Sequence, residues 1–195
     1  MLTTTTPGFR DRVHDAQQTF RTLLDALSCP GDVKAIAAAL VPPHGLTPAC
    51  AAACLTLLDL ETRVWLQPGL DADVAGWLVF HTGCRFTLDP QNSDFALVWD
   101  LAQLPNLAAF NWGTAACPEA STTVFLQVEQ LTDGIPVVLT GPGIWPERAI
   151  APQLPEQFWP QWQHHSPAYP RGIDLFLFGQ HDVMGLPRTS TLVRS

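Results

Sequence analysis

The sequence predicts a single α/β domain, a mixed β-sheet with helices on its faces, and three features carry that prediction. Apolar residues recur at helical spacing near the N-terminus, helix and strand patterns alternate to about residue 99, and turn signals between apolar runs follow in the second half. A chain of 195 residues has the length of one domain and buries roughly 70% of its unfolded surface, enough for a continuous core.

Val13, Ala16, Phe20, Leu23, Leu24 and Leu27 fall at steps of three and four, which defines an amphipathic helix over 13–27. It stops at Cys29-Pro30-Gly31, because proline disfavours helical geometry in the residue before it and glycine suits the turn. Thr47 as cap and Pro48 in the first helical position open a second helix that runs to about Leu58. A strand over 62–66 (TRVWL), a helix over 71–82 (DADVAGWLVFHT) and a strand over 94–99 (DFALVW) continue the alternation.

Beyond a loop at 111–121, the runs 122–131 and 135–141 flank Thr132-Asp133-Gly134, a hairpin signal that makes them antiparallel partners. Residues 155–163 form a short helix, and the runs 173–178 and 182–187 flank Gly179-Gln180 as a second hairpin. All the strands are expected in one mixed sheet. Residues 1–10 carry no pattern and are expected to be flexible, which leaves 11–195 as the domain.

Only 14% of residues are charged, against about 25% in an ordinary soluble domain, and seven are tryptophan. So little polar cover implies a sizeable surface that faces other protein. A net charge of -8 without any basic run opposes binding to nucleic acid or to anionic membrane. The N-terminus lacks the apolar run of a secretory signal and no stretch approaches the ~20 apolar residues of a membrane span, so a cytoplasmic protein is expected. Five cysteines, an odd number without framework spacing, read as reduced. Cys50 and Cys54 share a helix face, but no further ligand lies near them, so they read as small buried hydrophobes rather than metal ligands.

The chemical motifs are few. Lys34 is the single lysine, and it is followed by alanine outside any glycine-rich loop, which excludes a phosphate loop and makes it the sole candidate for a pyridoxal phosphate Schiff base. Gly141 and Gly143 in TGPGI could present N–H groups to an anion, although the intervening proline removes one donor and a tight turn after a strand is the favoured reading. None of the six histidines lies in a nucleophile elbow or a zinc-binding helix motif; His81, at a helix end in FHTGC, reads as a capping or core residue before a catalytic one. Arg171, Asp174 and Arg188 bracket the second hairpin. The favoured reading is a partly buried Asp174–Arg188 pair that fastens hairpin to core, and the alternative is that Arg171 and Arg188 hold a phosphate or phosphonate oxyanion. No catalytic residue, metal ligand or cofactor site is assigned.

Taken together, the stretches HDAQQTFRTLLDALSCPG, DLETRVWL, FHTGC, GTAACPEAS, LTGPGI, IAPQLPE, YPRGIDLFLF and LPRTS, in order over residues 14–190, resemble one family, the H subunit of the bacterial carbon–phosphorus lyase complex, PhnH. Departures are small, at Cys29, Arg85 and Ser190. The resemblance implies a subunit of a phosphonate-catabolising core complex with G, I and J subunits, and a homodimer. It further implies that, with the G, I and L proteins, such a subunit supports replacement of the adenine of ATP by methylphosphonate, giving ribose 1-methylphosphonate 5-triphosphate. Radical cleavage belongs to the J subunit, in keeping with the lack of a three-cysteine iron–sulfur signature here. The implied fold is that of the large domain of pyridoxal phosphate transferases without the cofactor. An independent small-molecule transferase or hydrolase and a phosphonate-binding regulator are the competing readings.

Overall fold

The computed structural model describes residues 6–165 and 168–193. Helix α1 (Arg12–Ser28) starts where Asp11 caps it: Asp11 Oδ1 accepts the N–H groups of Val13 and His14, both at 3.1 Å, while the Asp15 carboxylate accepts the Asp11 N–H at 3.0 Å. This reciprocal pattern satisfies donors that a bare helix end leaves orphaned. The helix buries Thr19, Leu23 and Ala26, whereas Val13, Phe20 and Leu24 stay exposed, so the apolar stripe read from the sequence is split between core and surface.

Strand β1 (Val33–Ala35) leads to α2 (Pro48–Leu57), which Thr47 caps by accepting the Cys50 N–H at 3.3 Å. From Pro48 to Cys54 this helix is buried throughout, and its alanine and cysteine side chains are small enough for α1 to lie close against it. Next come β2 (Arg63–Leu66), α3 (Ala72–Thr82), β3 (Arg85–Thr87) and β4 (Phe95–Val98). The second half contributes β5 (Thr123–Gln127), β6 (Val137–Thr140), β7 (Arg148–Ile150), α4 (Phe158–His165), β8 (Asp174–Phe178), β9 (Asp182–Leu186) and β10 (Thr191–Leu192).

Seven strands form the main sheet in the order β1-β9-β8-β5-β4-β2-β3. The pairs from β8 through β3 are all parallel, and β9 runs antiparallel to both of its neighbours, so the sheet is mixed as expected. Side chains alternate between two cores. On one face Phe125, Phe176 and Phe178 pack with Leu23, Trp77 and the alanines of α2; on the other Val124, Leu126, Leu175 and Leu177 pack with Phe110, Leu139, Phe158 and Trp162.

The first predicted hairpin does not form. Residues around Thr132-Asp133-Gly134 do turn, with Asp133 at φ +67°, yet β5 lies between β4 and β8 in the main sheet while β6 lies between β7 and β10 in a separate three-stranded antiparallel sheet. The physical reason is burial on both faces. Val124, Phe125 and Leu126 are each at most 1% exposed, which requires a central strand with cover on either side, and the Gly134 N–H is drawn to the Ala151 carbonyl at 2.7 Å. The expectation of one sheet is therefore corrected to two. The chain from Thr6 onward is held to α3, because the Thr6 carbonyl accepts from Trp77 Nε1 at 2.8 Å and Phe9 packs against the core.

Arg63 and Asp94 tie the start of β2 to that of β4 through a two-pronged contact, Nη2 to Oδ1 at 2.8 Å and Nε to Oδ2 at 3.1 Å. The guanidinium beside it holds the Asp94 carboxyl below its ordinary range. A carboxyl depressed in the folded state contributes stability above its unfolded pKa, near 4, and loses it as pH falls through the folded value. Asp94→Asn is expected to lower stability modestly at pH 7, where the ionised carboxylate contributes, and to leave it nearly unchanged well below about pH 4, so that the acid limb flattens, which urea midpoints measured across that range will show. An acid limb as steep as that of the parent protein would contradict this.

Candidate functional site

The main sheet contains a reversal. From β2 the chain passes to β3 on one side, then crosses back to β4 on the other and steps on to β5 and β8. Strands leading in opposite directions leave a crevice at their carboxyl ends, where open α/β sheets bind ligands. Beside this reversal, over the ends of β4 and β5, opens a cavity of about 1100 Å³. Trp99, Asp100 and Leu101 line it from the chain leaving β4, Gln127 and Glu129 from the end of β5, and the loop 40–47 forms its wall in front of α2.

Two buried glutamines build this edge. Gln127, the last residue of β5, accepts the Thr47 N–H at 2.6 Å and donates to the Gly45 carbonyl at 2.9 Å, which fixes the loop over the strand end. Gln67, just past β2, accepts the N–H groups of Trp99 and Asp100 at 3.0 and 2.8 Å and donates to the carbonyls of Asp100 and Gln103, both at 2.9 Å. Each side chain stands in for a backbone partner and leaves no amide group unmatched. None of the lining residues is lysine or arginine. These residues were not singled out from the sequence, for they belong to no motif. The available signal was their place at the carboxyl ends of the strand patterns TRVWL, DFALVW and TTVFLQ.

Arg188 and Asp174 lie at the opposite edge. Asp174 faces Thr123 in the parallel register, at the amino ends of β8 and β5, roughly 13 Å of strand away from the carboxyl edge. Arg188 Nη2 meets Asp174 Oδ2 at 2.5 Å, and Nε lies 3.1 and 3.2 Å from the two carboxylate oxygens. The guanidinium also donates to the carbonyls of Pro118 at 2.8 Å and Pro170 at 3.3 Å and to Ser121 Oγ at 2.6 Å. Arg171 does not join them. It is exposed, and its side chain has no protein partner among the described residues.

His81 sits in the last turn of α3, its ring 4.8 Å from that of Trp77, with Nε2 donating to the Thr6 carbonyl at 3.0 Å. Gly143 takes φ +82°, and a Cβ there would lie 2.1 Å from the Ser28 carbonyl oxygen, so TGPGI is glycine-rich where it passes the end of α1. Cys50 and Cys84 are buried, and burial pushes both thiols up, away from the reactive thiolate. Among the described residues no three histidine, cysteine or acidic side chains are grouped to hold a metal, and no helix is long and apolar enough to cross a membrane.

Lys34 lies on the edge strand β1, 2.8 Å from Asp25 and 3.4 Å from Asp32. The hydrogen bond that its ammonium donates to the Asp25 carboxylate raises its pKa, which keeps the amine protonated and a poor Schiff-base nucleophile. Incubation with pyridoxal phosphate, borohydride reduction and mass measurement are expected to give no stoichiometric adduct on Lys34. A clean single adduct there would refute this.

The profile of a family described as "Bacterial phosphonate metabolism protein (PhnH)" matches residues 7–193. Among curated proteins, the "Alpha-D-ribose 1-methylphosphonate 5-triphosphate synthase subunit PhnH" of Rhizobium meliloti (strain 1021) is 40% identical over 189 residues, covering 96% of this chain and 94% of that protein. A "Putative C-P lyase subunit protein HtxG" of Stutzerimonas stutzeri is 34% identical over 79 residues, 40% of either chain.

Proposed function

Since this chain belongs to the PhnH family of bacterial phosphonate metabolism proteins, we propose that it is a subunit of a carbon–phosphorus lyase complex and serves in phosphonate catabolism. Within that reading, it supports, with the G, I and L proteins, formation of ribose 1-methylphosphonate 5-triphosphate from ATP and methylphosphonate, and it acts in the cytoplasm. The observation that carries the proposal is the end-to-end match to a synthase subunit at 40% identity. The described side chains agree with a subunit role rather than a free hydrolase: Arg188 is surrounded by protein acceptors and His81 is packed against Trp77. A likeness to the large domain of pyridoxal phosphate transferases belongs to the same proposal, supported by the parallel strands β8-β5-β4-β2-β3.

The partners proposed are a second copy of the chain and the G, I and J subunits. Apolar side chains left in solvent support this, with Val13, Phe20 and Leu24 on α1 and Phe80, Phe86 and Leu88 around the sheet edge at β3. The deciding experiment is the complex reassembled with and without this chain at matched concentrations of the rest. Product from ATP and methylphosphonate is expected only when the chain is present, and none from the chain alone. Undiminished product without it would overturn the reading.

A further inference from the structure

We propose that the cavity over the carboxyl ends of β4 and β5 binds the purine base of a nucleotide and leaves the phosphates outside. The inference rests on the reading above, in which ATP is consumed, and adds that this chain itself holds the base.

Charge makes the first part of the argument. The ionisable lining residues are His44, Asp100 and Glu129, with no lysine or arginine, so the pocket offers a triphosphate or a phosphonate repulsion and no clamp. Asp100 is already engaged in its own turn, where Oδ1 accepts the Ala102 N–H at 2.9 Å and Oδ2 accepts from Gln103 Nε2 at 2.8 Å. What remains is suited to an uncharged heterocycle.

The side-chain amides of Gln153 and Gln180 and the carboxylate of Glu129 line the cavity without a protein partner among the described residues. Trp99 lines it too, and its indole Nε1 is buried with no hydrogen-bond partner. A buried donor of this kind calls for an acceptor. A purine supplies every complement. A ring nitrogen accepts from an indole N–H, the N6/N7 edge matches a glutamine amide, and the exocyclic amine donates to a carboxylate. Leu40, Leu46 and Leu101 give apolar walls, and the volume suffices for a nucleoside.

The test uses the full-length chain with 15N-labelled tryptophan, the Nε1–H resonance of Trp99 being identified by its loss in Trp99→Phe. Adenosine is expected to shift that resonance saturably, while inorganic triphosphate and methylphosphonate leave it in place. Trp99→Phe and Gln153→Ala, checked for unchanged melting temperature, are each expected to weaken adenosine binding about tenfold, the scale of one hydrogen-bonded base contact. If Trp99→Phe fails to fold, the resonance is assigned through-bond and Gln153→Ala decides. Adenosine without effect at millimolar concentration, or triphosphate alone causing the shift, would overturn the base site. Reassembly that still requires this chain would leave the subunit reading standing in either case, so the two failures are distinguishable.

Discussion

Asp174→Ala lowers thermal stability and soluble yield before it alters any activity measured at equal folded protein. The pair it breaks is largely shielded, with side chains 14% exposed for Arg188 and 23% for Asp174. Asp174 Oδ1 also accepts the Arg188 backbone N–H at 2.8 Å, so one carboxylate anchors both the main chain and the side chain of its partner. Through that guanidinium the loop at Pro118–Ser121, the turn at Pro170 and the exit of β9 are tied to the start of β8. Removing the carboxylate leaves a shielded cation whose remaining partners are neutral, a loss on the order of 3 kcal/mol or more. Arg188→Ala is expected to cost a similar amount, and the double variant less than the sum, because both remove the same interaction. Urea midpoints read this directly. Full stability with complex activity abolished would reassign the cluster as an oxyanion site.

That pair was legible in the sequence because a short hairpin turn brings Asp174 and Arg188 to the same end, although the structure places the two-residue tip one position on from the expected Gly179-Gln180, at Gln180-His181, where the Gly179 N–H donates to the Asp182 carbonyl at 3.0 Å. Local signals made the helices legible for the same reason: the apolar spacing from Val13 to Leu27 marked α1, and Thr47, which caps α2, acts on a residue three positions away, while the Asp11 and Asp71 caps were not read in advance. Non-local choices were not legible. A run such as TTVFLQ is equally apolar whether its neighbours are parallel or antiparallel, and only the packing of Phe125 on one face and Leu126 on the other sends β5 to the centre of the main sheet. The short strands β1, β3, β7 and β10 hold two or three residues each, too few for a period to register. The cavity was hidden more deeply. Gln127 and Gln67 look like ordinary polar residues after strands, and their roles arise only when Gly45, Thr47 and Trp99 fold against them.

Gly185→Ala is expected to unseat α1 from the main sheet. Gly185 lies inside β9, opposite Phe176 of β8, and a Cβ there would sit 2.3 Å from the Ala26 carbonyl oxygen and 2.7 Å from the Leu27 N atom. Both obstacles are helix backbone, so no side-chain rotation relieves the clash, and either α1 or β9 must move. The helix seals one core through Leu23 and Ala26, both nearly fully buried, so its displacement opens apolar surface as well as straining the strand. Overpacking of this kind costs about 3 kcal/mol or more, enough to remove a large share of an ordinary domain's stability. Gly76→Ala supplies the opposite sign within the same protein: Gly76 lies in α3, nothing stands within 4 Å of the added Cβ, and alanine is expected to raise stability by roughly 0.5–1 kcal/mol. Thermal melts of the two variants therefore separate steric exclusion from glycine's general flexibility. A Gly185→Ala protein as stable as its parent would mean that α1 does not press on β9 at this point.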